Sequence, residues 1–248
     1  MDGSEDERAS MDGSEGDSAR VDASEGERAR VGGSAEESDR GRAPLSGGQA
    51  VYLYAIVRAR SWRGRRIRQV EGAELVQVRY RDLEALVRAV PYELPPGGEE
   101  ELRAHQRVVD AALRRGAVLP LPYGVVFQGR RQLIRLLQEQ YLVIDEALSF
   151  VAGAWEVRLH MAAAAGEQAA ELGDIAMQCY TELRRHARAA VPLAGEEGKR
   201  LLTAAFLVER TTWIEFVERA DDLGSAHPEL TFDVTGPWPP YDFVRISL

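Results

Sequence analysis

The chain has 248 residues, enough for one large domain or two small ones. Its formal net charge of −9 is unevenly placed: residues 1–49 carry 13 acidic and 6 basic side chains, the rest 27 and 25. A near-neutral body gives no electrostatic case for nucleic acid, and the single cysteine, Cys179, excludes an internal disulfide and a cysteine metal cluster.

Residues 2–31 repeat with a period of ten: Asp2-Gly3-Ser4-Glu5, Asp12-Gly13-Ser14-Glu15, Asp22-Ala23-Ser24-Glu25, then a degenerate Gly32-Gly33-Ser34-Ala35. No aromatic residue precedes Tyr52. Such a segment buries too little apolar surface to offset its ordering entropy, so residues 1–49 are predicted to be a disordered acidic tail. The repeat fits a solvating or partner-binding tail, and fits an expanded spacer better. The acidic start has no apolar core of a signal peptide, and Leu133–Val151, the most apolar long stretch, is interrupted by Arg135, Glu139, Asp145 and Glu146. The expectation is a cytoplasmic protein with no membrane partner.

Val51–Val57 is β-rich and predicts a first strand. The loop from Arg58 to Arg68 holds six arginines around Trp62. It is the best anion-binding candidate, although 30 of the 31 basic residues are arginine and a solvated loop explains it as well. Glu74–Tyr80 alternates as a strand, with its apolar side ambiguous. Leu83–Val90 fits helix or strand. Pro91 and Pro95-Pro96-Gly97-Gly98 punctuate the chain. Glu99–Arg115 is helical, with acidic residues in its first turn and Gly116 after its end. Val118–Phe127 reads as a buried strand interrupted by prolines, and Arg131–Val151 as one long helix.

Gly153 marks a hinge, dividing residues 50–152 from 153–248. Trp155–Met161 alternates as a strand. Glu167–Ala190 is an amphipathic helix with Leu172, Ile175, Ala176, Cys179, Leu183 and Ala187 on one stripe. Pro192 and Gly195 break the chain. Leu201–Val208 is an apolar strand. Thr212-Trp213-Ile214-Glu215 is a capping-box pattern opening a helix to about Leu223. Leu230–Val234 and Phe243–Ile246 supply strands. The second half therefore reads β-α-β-α-β-β, an α+β arrangement with helices on one face of a small sheet.

Thr235-Gly236-Pro237-Trp238-Pro239-Pro240-Tyr241-Asp242-Phe243-Val244 is the most informative string. Its prolines exclude helix and the middle of a sheet, so it predicts a stiff extended corner presenting Trp238, Tyr241 and Phe243. Large apolar side chains on a stiff segment suit partner contact, because little ordering entropy is lost on binding. Capping of a core explains Trp238 and Phe243 equally well.

Catalytic motifs do not emerge. His105, His160, His186 and His227 form no metal-ligand spacing; Glu182 and His186, four apart on one helix, read as a surface pair. His105 on the apolar side of its helix reads as a hydrogen-bonded core or interface histidine. Cys179 on its stripe reads as a buried, inert thiol. No phosphate loop or nucleophile elbow occurs. Leu121–Phe127 matches an RNA-binding strand motif only at Tyr123, Gly124 and Val126, with Pro122 interrupting the stacking surface. No catalytic, metal or cofactor residue is assigned.

The 235–244 string resembles the C-terminal signature of the gas vesicle protein L/F family. Val51-Tyr52-Leu53-Tyr54-Ala55-Ile56-Val57, Val118-Leu119-Pro120-Leu121-Pro122-Tyr123-Gly124-Val125-Val126-Phe127 and Ala204-Ala205-Phe206-Leu207-Val208-Glu209-Arg210 agree with it, in the family's order, over about residues 51 to 246. The resemblance implies an α+β domain over 50–152 and a ferredoxin-like domain over 153–248. It implies a non-enzymatic accessory or minor structural protein of gas vesicle assembly, associated with the vesicle. Its expected partners are the shell protein and other gas vesicle accessory proteins, with no cofactor and no nucleic acid. Pro120, Tyr123, Phe127, Trp238, Tyr241 and Phe243 are the expected contact residues. Pro122-Tyr123 departs from the family's usual Arg-Phe, so a contact made by that arginine is not expected here. The alternative is a small-molecule-binding protein or enzyme on a ferredoxin-like scaffold, using His105 or His160.

Overall fold

A computed structural model of the chain describes residues 49–59, 69–70, 73–91, 97–165, 169–194 and 200–246, all within one compact unit. The acidic repeat lies outside the described residues, as does the arginine loop beyond Ala59.

Strand β1, Ala50–Arg58, is the centre of the first half and is buried along its length up to Arg58. A strand covered on both faces needs a continuous apolar run, which 50–57 supplies. Two short strands, β2 (Gln69–Val70) and β3 (Ala73–Glu74), form a separate ribbon. Next come β4 (Val76–Tyr80) and β5 (Leu83–Val90), joined by a tight turn at Arg81-Asp82 with Arg81 at φ 52. The 83–90 segment is therefore a strand, antiparallel to β1. Helix α1 (Glu99–Leu113) follows, then β6 (Val118–Pro120) and β7 (Val126–Phe127), both pairing β1. The sheet order is β4-β5-β1-β6, with β7 also on β1.

Along β1 the side chains alternate between two cores. Val51 and Leu53 join Leu133, Leu137, Ile144 and Leu148, whereas Tyr52 and Tyr54 join Val108, Val109 and Ala112 of α1. A register shift between Leu53 and Ala55 inverts the phase, so that Ile56 returns to the first core and Ala55 and Val57 to the second. One extra residue in a strand reverses every later side chain.

The expected single helix over 131–151 is two: α2 (Arg130–Glu139) and α3 (Tyr141–Val151). They meet at Gln140, whose φ −106, ψ 20 leaves the helical region. The break lets Leu133 and Leu137 of one helix, and Ile144 and Leu148 of the other, all reach the same core.

The second half runs β8 (Ala154–Ala163), α4 (Ala169–Arg184), β9 (Ala189–Leu193), β10 (Leu202–Glu209), α5 (Trp213–Ala226) and β11 (Leu230–Trp238). The order is β-α-β-β-α-β rather than β-α-β-α-β-β. The sheet order β11-β8-β10-β9, antiparallel throughout, is that of two interleaved split β-α-β units, the ferredoxin-like arrangement. Two readings account for the difference. The helix expected to reach Ala190 ends at Arg184, and 189–193 is an edge strand that accommodates Pro192 opposite Ala204. At the other end, Phe243 does not open a strand; Tyr241–Phe243 is a single 3-10 turn after β11. The segment from 235 is thus edge strand and then a helical turn, not extended throughout.

Helices α4 and α5 cover one face of this sheet. Their Leu172, Cys179, Leu183, Phe216 and Ala220 pack on Val157, Leu159, Met161, Phe206 and Val208. Ala154 and Leu207 belong instead to the core of the first half, so the two sheets are joined by packing. The capping box does not close: Thr212 makes no side-chain bond to the start of α5.

Candidate partner-binding surfaces

The six expected contact residues divide by burial. Pro120 is buried on β6 opposite Ala55, and Phe127 is 7% exposed on β7 opposite Val51. Both shape the core from within and present no open surface. Tyr123 and Tyr241 are half-buried and pack against one cluster, that of Tyr52, Tyr54 and α1. The fold thus brings together two segments 118 positions apart in sequence. Phe243 is half-buried against the other core, beside Val244 and Ile246. Trp238 is 42% exposed, with its indole N–H 3.3 Å from Thr235 Oγ1.

Helix α3 carries a larger apolar surface than any of these. Ile144, Leu148 and Val151 are buried, yet Leu142, Val143 and Phe150 on its outer side are 71%, 52% and 42% exposed. The sequence Tyr141-Leu-Val-Ile-Asp-Glu-Ala-Leu-Ser-Phe-Val is apolar around more of the helix than one core face requires. That excess is the signal in the sequence for this surface, which none of the six expected contact residues represents. Ile214, 65% exposed, adds an apolar side chain at the start of α5.

Polar contacts fix where α3 lies. Arg58, at the end of β1, donates to the Asp145 carboxylate, to the Asp145 carbonyl at 2.9 Å and to Ser149 Oγ at 2.7 Å. Tyr141 Oη donates to Asp82 Oδ1 at 2.7 Å, and that bond is the main cause holding the Asp82 carboxyl below its ordinary range. At the other end Arg188 donates to the Phe150 carbonyl, to the Ala152 carbonyl at 2.9 Å and to Glu209. Arg58, the one arginine of the basic loop within the described residues, is therefore part of the scaffold.

His105 and His160 are bound into structure. His105, 2% exposed, lies between Tyr52 Oη, 2.7 Å from Nδ1, and the Leu121 carbonyl, 2.9 Å from Nε2. A carbonyl only accepts, so Nε2 carries the proton, Nδ1 accepts from Tyr52, and the ring is neutral. Burial holds its pKa below the ordinary value. Tyr54 stacks on the ring and Tyr123 meets it edge-on. Burial likewise pushes the Tyr52 phenol up to about 12. His160 Nδ1 lies 3.0 Å from Thr203 Oγ1 and 3.0 Å from an Arg200 nitrogen, and desolvation followed by that cation lowers its pKa. Cys179 is buried and its thiol is pushed up by desolvation, as befits an unreactive core position.

A cleft of about 370 Å³ opens between the end of α4 and the start of α5, lined by Arg185, His186, Arg188, Glu209, Thr212 and Glu215. Neither His105 nor His160 lines it. Among the described residues no group of three or more His, Cys, Asp or Glu side chains converges as metal ligands would. No helix there is long and apolar enough to cross a membrane.

Known proteins are similar to this chain in sequence and architecture. The family model described as gas vesicle synthesis protein GvpL/GvpF matches residues 50–172 and 162–245. The chain is 26% identical over 202 residues to gas vesicle protein F2 of Halobacterium salinarum, covering 80% of this chain and 93% of that one. It is 28% identical to gas vesicle protein L of a Streptomyces species over 185 residues, 58% of this chain and 69% of the relative. The crystal structure of gas vesicle protein GvpF from an Anabaena species superposes with a TM-score of 0.69 at 16% identity, over 81% of this chain and all of that one. The GvpF structure from Microcystis aeruginosa gives 0.64 at 15% identity, over 78% and 98%. With the family model spanning both sheets and every strand of the described body, the chain belongs to the gas vesicle synthesis protein GvpL/GvpF family.

Proposed function

We propose that this member of a gas vesicle family is a non-enzymatic accessory or minor structural protein of vesicle assembly. It holds the shell protein, and other gas vesicle accessory proteins, through apolar surface. It works in the cytoplasm at the growing vesicle, with residues 50–152 and 153–248 as its two domains.

What carries the reading is the outer side of α3, where Leu142, Val143 and Phe150 stand open on a helix tied by Tyr141 at its start, by Arg58 along its length and by Arg188 at its end. A rigidly held apolar face loses little entropy when a partner covers it. Trp238 offers a second contact on the stiff C-terminal corner. Tyr123, Tyr241 and Phe243 contribute their exposed edges, and Pro120 and Phe127 set the shape beneath them. The alternative, a small-molecule enzyme using His105 or His160, is weakened by the commitment of both His105 nitrogens to internal partners.

The test is co-purification with shell protein from cells making both. A Leu142→Glu, Phe150→Glu double variant should fold as the wild type does and recover much less shell protein, and Trp238→Ala should reduce recovery further. Full recovery by the folded triple variant would remove these surfaces from the mechanism.

A further inference from the structure

Beyond β11 the chain turns back over the first half as a strap. Pro239 and Pro240 are buried, Tyr241 packs against the Tyr52–Tyr54 cluster, and Phe243, Val244 and Ile246 pack against the other core. One side chain holds this strap by its backbone. Glu156 of β8 is fully buried, and its Oε2 accepts the N–H of Asp242 at 2.9 Å. Its Oε1 accepts from Arg158 Nε at 2.8 Å, and Arg158 also reaches the Asp242 carboxylate, at 3.0 Å from Nε and 2.9 Å from Nη2.

This clasp contains two carboxyl groups and one guanidinium. One cation cannot balance two carboxylates where one of them is fully buried, so the cheaper state keeps a proton on the buried group. Among the described residues, the other groups around the clasp do not supply a second cation. From the strap comes Tyr241, its phenol pushed upward by burial; from α1, Asp110, also raised by burial; from β1, Tyr52. Arg88 of β5 lies over the Tyr52 ring, 5.9 Å away.

We propose that Glu156, Arg158 and Asp242 form a proton-controlled latch, in which the closed strap retains a proton on Glu156 and loss of that proton to solvent favours lifting of residues 239–246. Burial, followed by the charge of Asp242, pushes the Glu156 carboxyl up to about 8, while the Asp242 N–H and Arg158 pull it down. Lifting the strap hydrates Glu156 and returns it toward its ordinary value of 4.5. The closed form thus binds the proton more tightly than the open form. Closure is strongest below pH 4.5, weakens by up to about tenfold per pH unit as pH rises toward 8, and is constant above that. The proposal stands apart from the shell-binding reading and needs no partner.

The experiment is amide hydrogen exchange on the purified full chain between pH 6 and 9, expressed as protection factors so that intrinsic base catalysis cancels. Protection of the Asp242 and Phe243 amides should fall about tenfold per pH unit up to pH 8 and then level off, while amides of β10 hold steady. Glu156→Gln keeps an acceptor for the Asp242 N–H and has no proton to lose, so its strap should stay protected across the range. Asp242→Asn removes the neighbouring charge and should move the fall to lower pH. A flat wild-type profile, an unchanged fall in Glu156→Gln, or an unmoved midpoint in Asp242→Asn would each overturn the latch.

Discussion

Tyr52 and His105, 53 positions apart in sequence, are joined by a 2.7 Å hydrogen bond that ties the central strand of the first sheet to helix α1. Tyr52 Oη also accepts the Gly124 N–H at 3.3 Å, so one phenol serves a strand, a helix and the loop between β6 and β7. Tyr52→Phe would leave both His105 Nδ1 and that N–H without a partner while keeping the ring. The expected cost is about 1–3 kcal/mol, read from the urea midpoint. A variant as stable as the wild type would mean that the bond contributes nothing.

The same pair sets a pH dependence. His105 has a depressed folded-state pKa, against an ordinary value of 6.5. The folded state therefore excludes a proton that the unfolded chain accepts, so this contribution is present above pH 6.5 and is lost as pH falls below it. Urea midpoints between pH 8 and 5 should fall on the acid side in the wild type and fall less in His105→Gln. Parallel curves would assign the acid sensitivity to other groups.

Arg58 joins β1 to α3 through Asp145 and Ser149 and approaches Asp82 at 3.4 Å. Arg58→Ala should cost about 1–2 kcal/mol, since Asp82 and Asp145 are only partly exposed. Arg58→Lys should recover part of this at most, because an ammonium cannot reproduce the planar fork. A double-mutant cycle with Asp145→Ala isolates the pair.

Gly153 joins α3 to β8 at φ +74, and a Cβ there would find no atom closer than Glu209 Oε2 at 3.8 Å. Space is available, so the cost of Gly153→Ala is conformational, about 1–2 kcal/mol. Thermal unfolding measures it. Retention of full stability would mean that the backbone relaxes out of the left-handed region.

Thr212→Ala separates a sequence motif from a formed contact. A closed capping box would make this change cost about 1 kcal/mol. Because Thr212 makes no capping bond, the expected loss is under about 0.5 kcal/mol.

Much of the fold was legible because burial leaves a local imprint. β1 and β10 read as apolar runs, β8 as an alternating strand, and α1 and α4 as striped helices. The ordered family strings pointed to gas vesicle proteins, and the match across residues 50–245 agrees. Other features had no local imprint. Ala189 and Ala190 read as the end of the preceding helix, and 189–193 becomes a strand because β10 offers it an edge. The 131–151 segment shows one apolar periodicity, and Gln140 breaks it so that both parts reach one core. Pro120 and Phe127 look like contact residues in a proline-rich string until β1 covers them. Leu142, Val143 and Phe150 lie on the same apolar helix as the buried Ile144, Leu148 and Val151, and only the packing shows that they stay open.

The sequence by itself determined which segments must be buried, where the chain must turn, and the family, because hydrophobicity, backbone restriction and motif order are carried by neighbouring residues. Only the tertiary structure decided which apolar faces remain open and which carboxyl must keep its proton. Both depend on what lies opposite a side chain, and for Glu156 that is Asp242, 86 positions away.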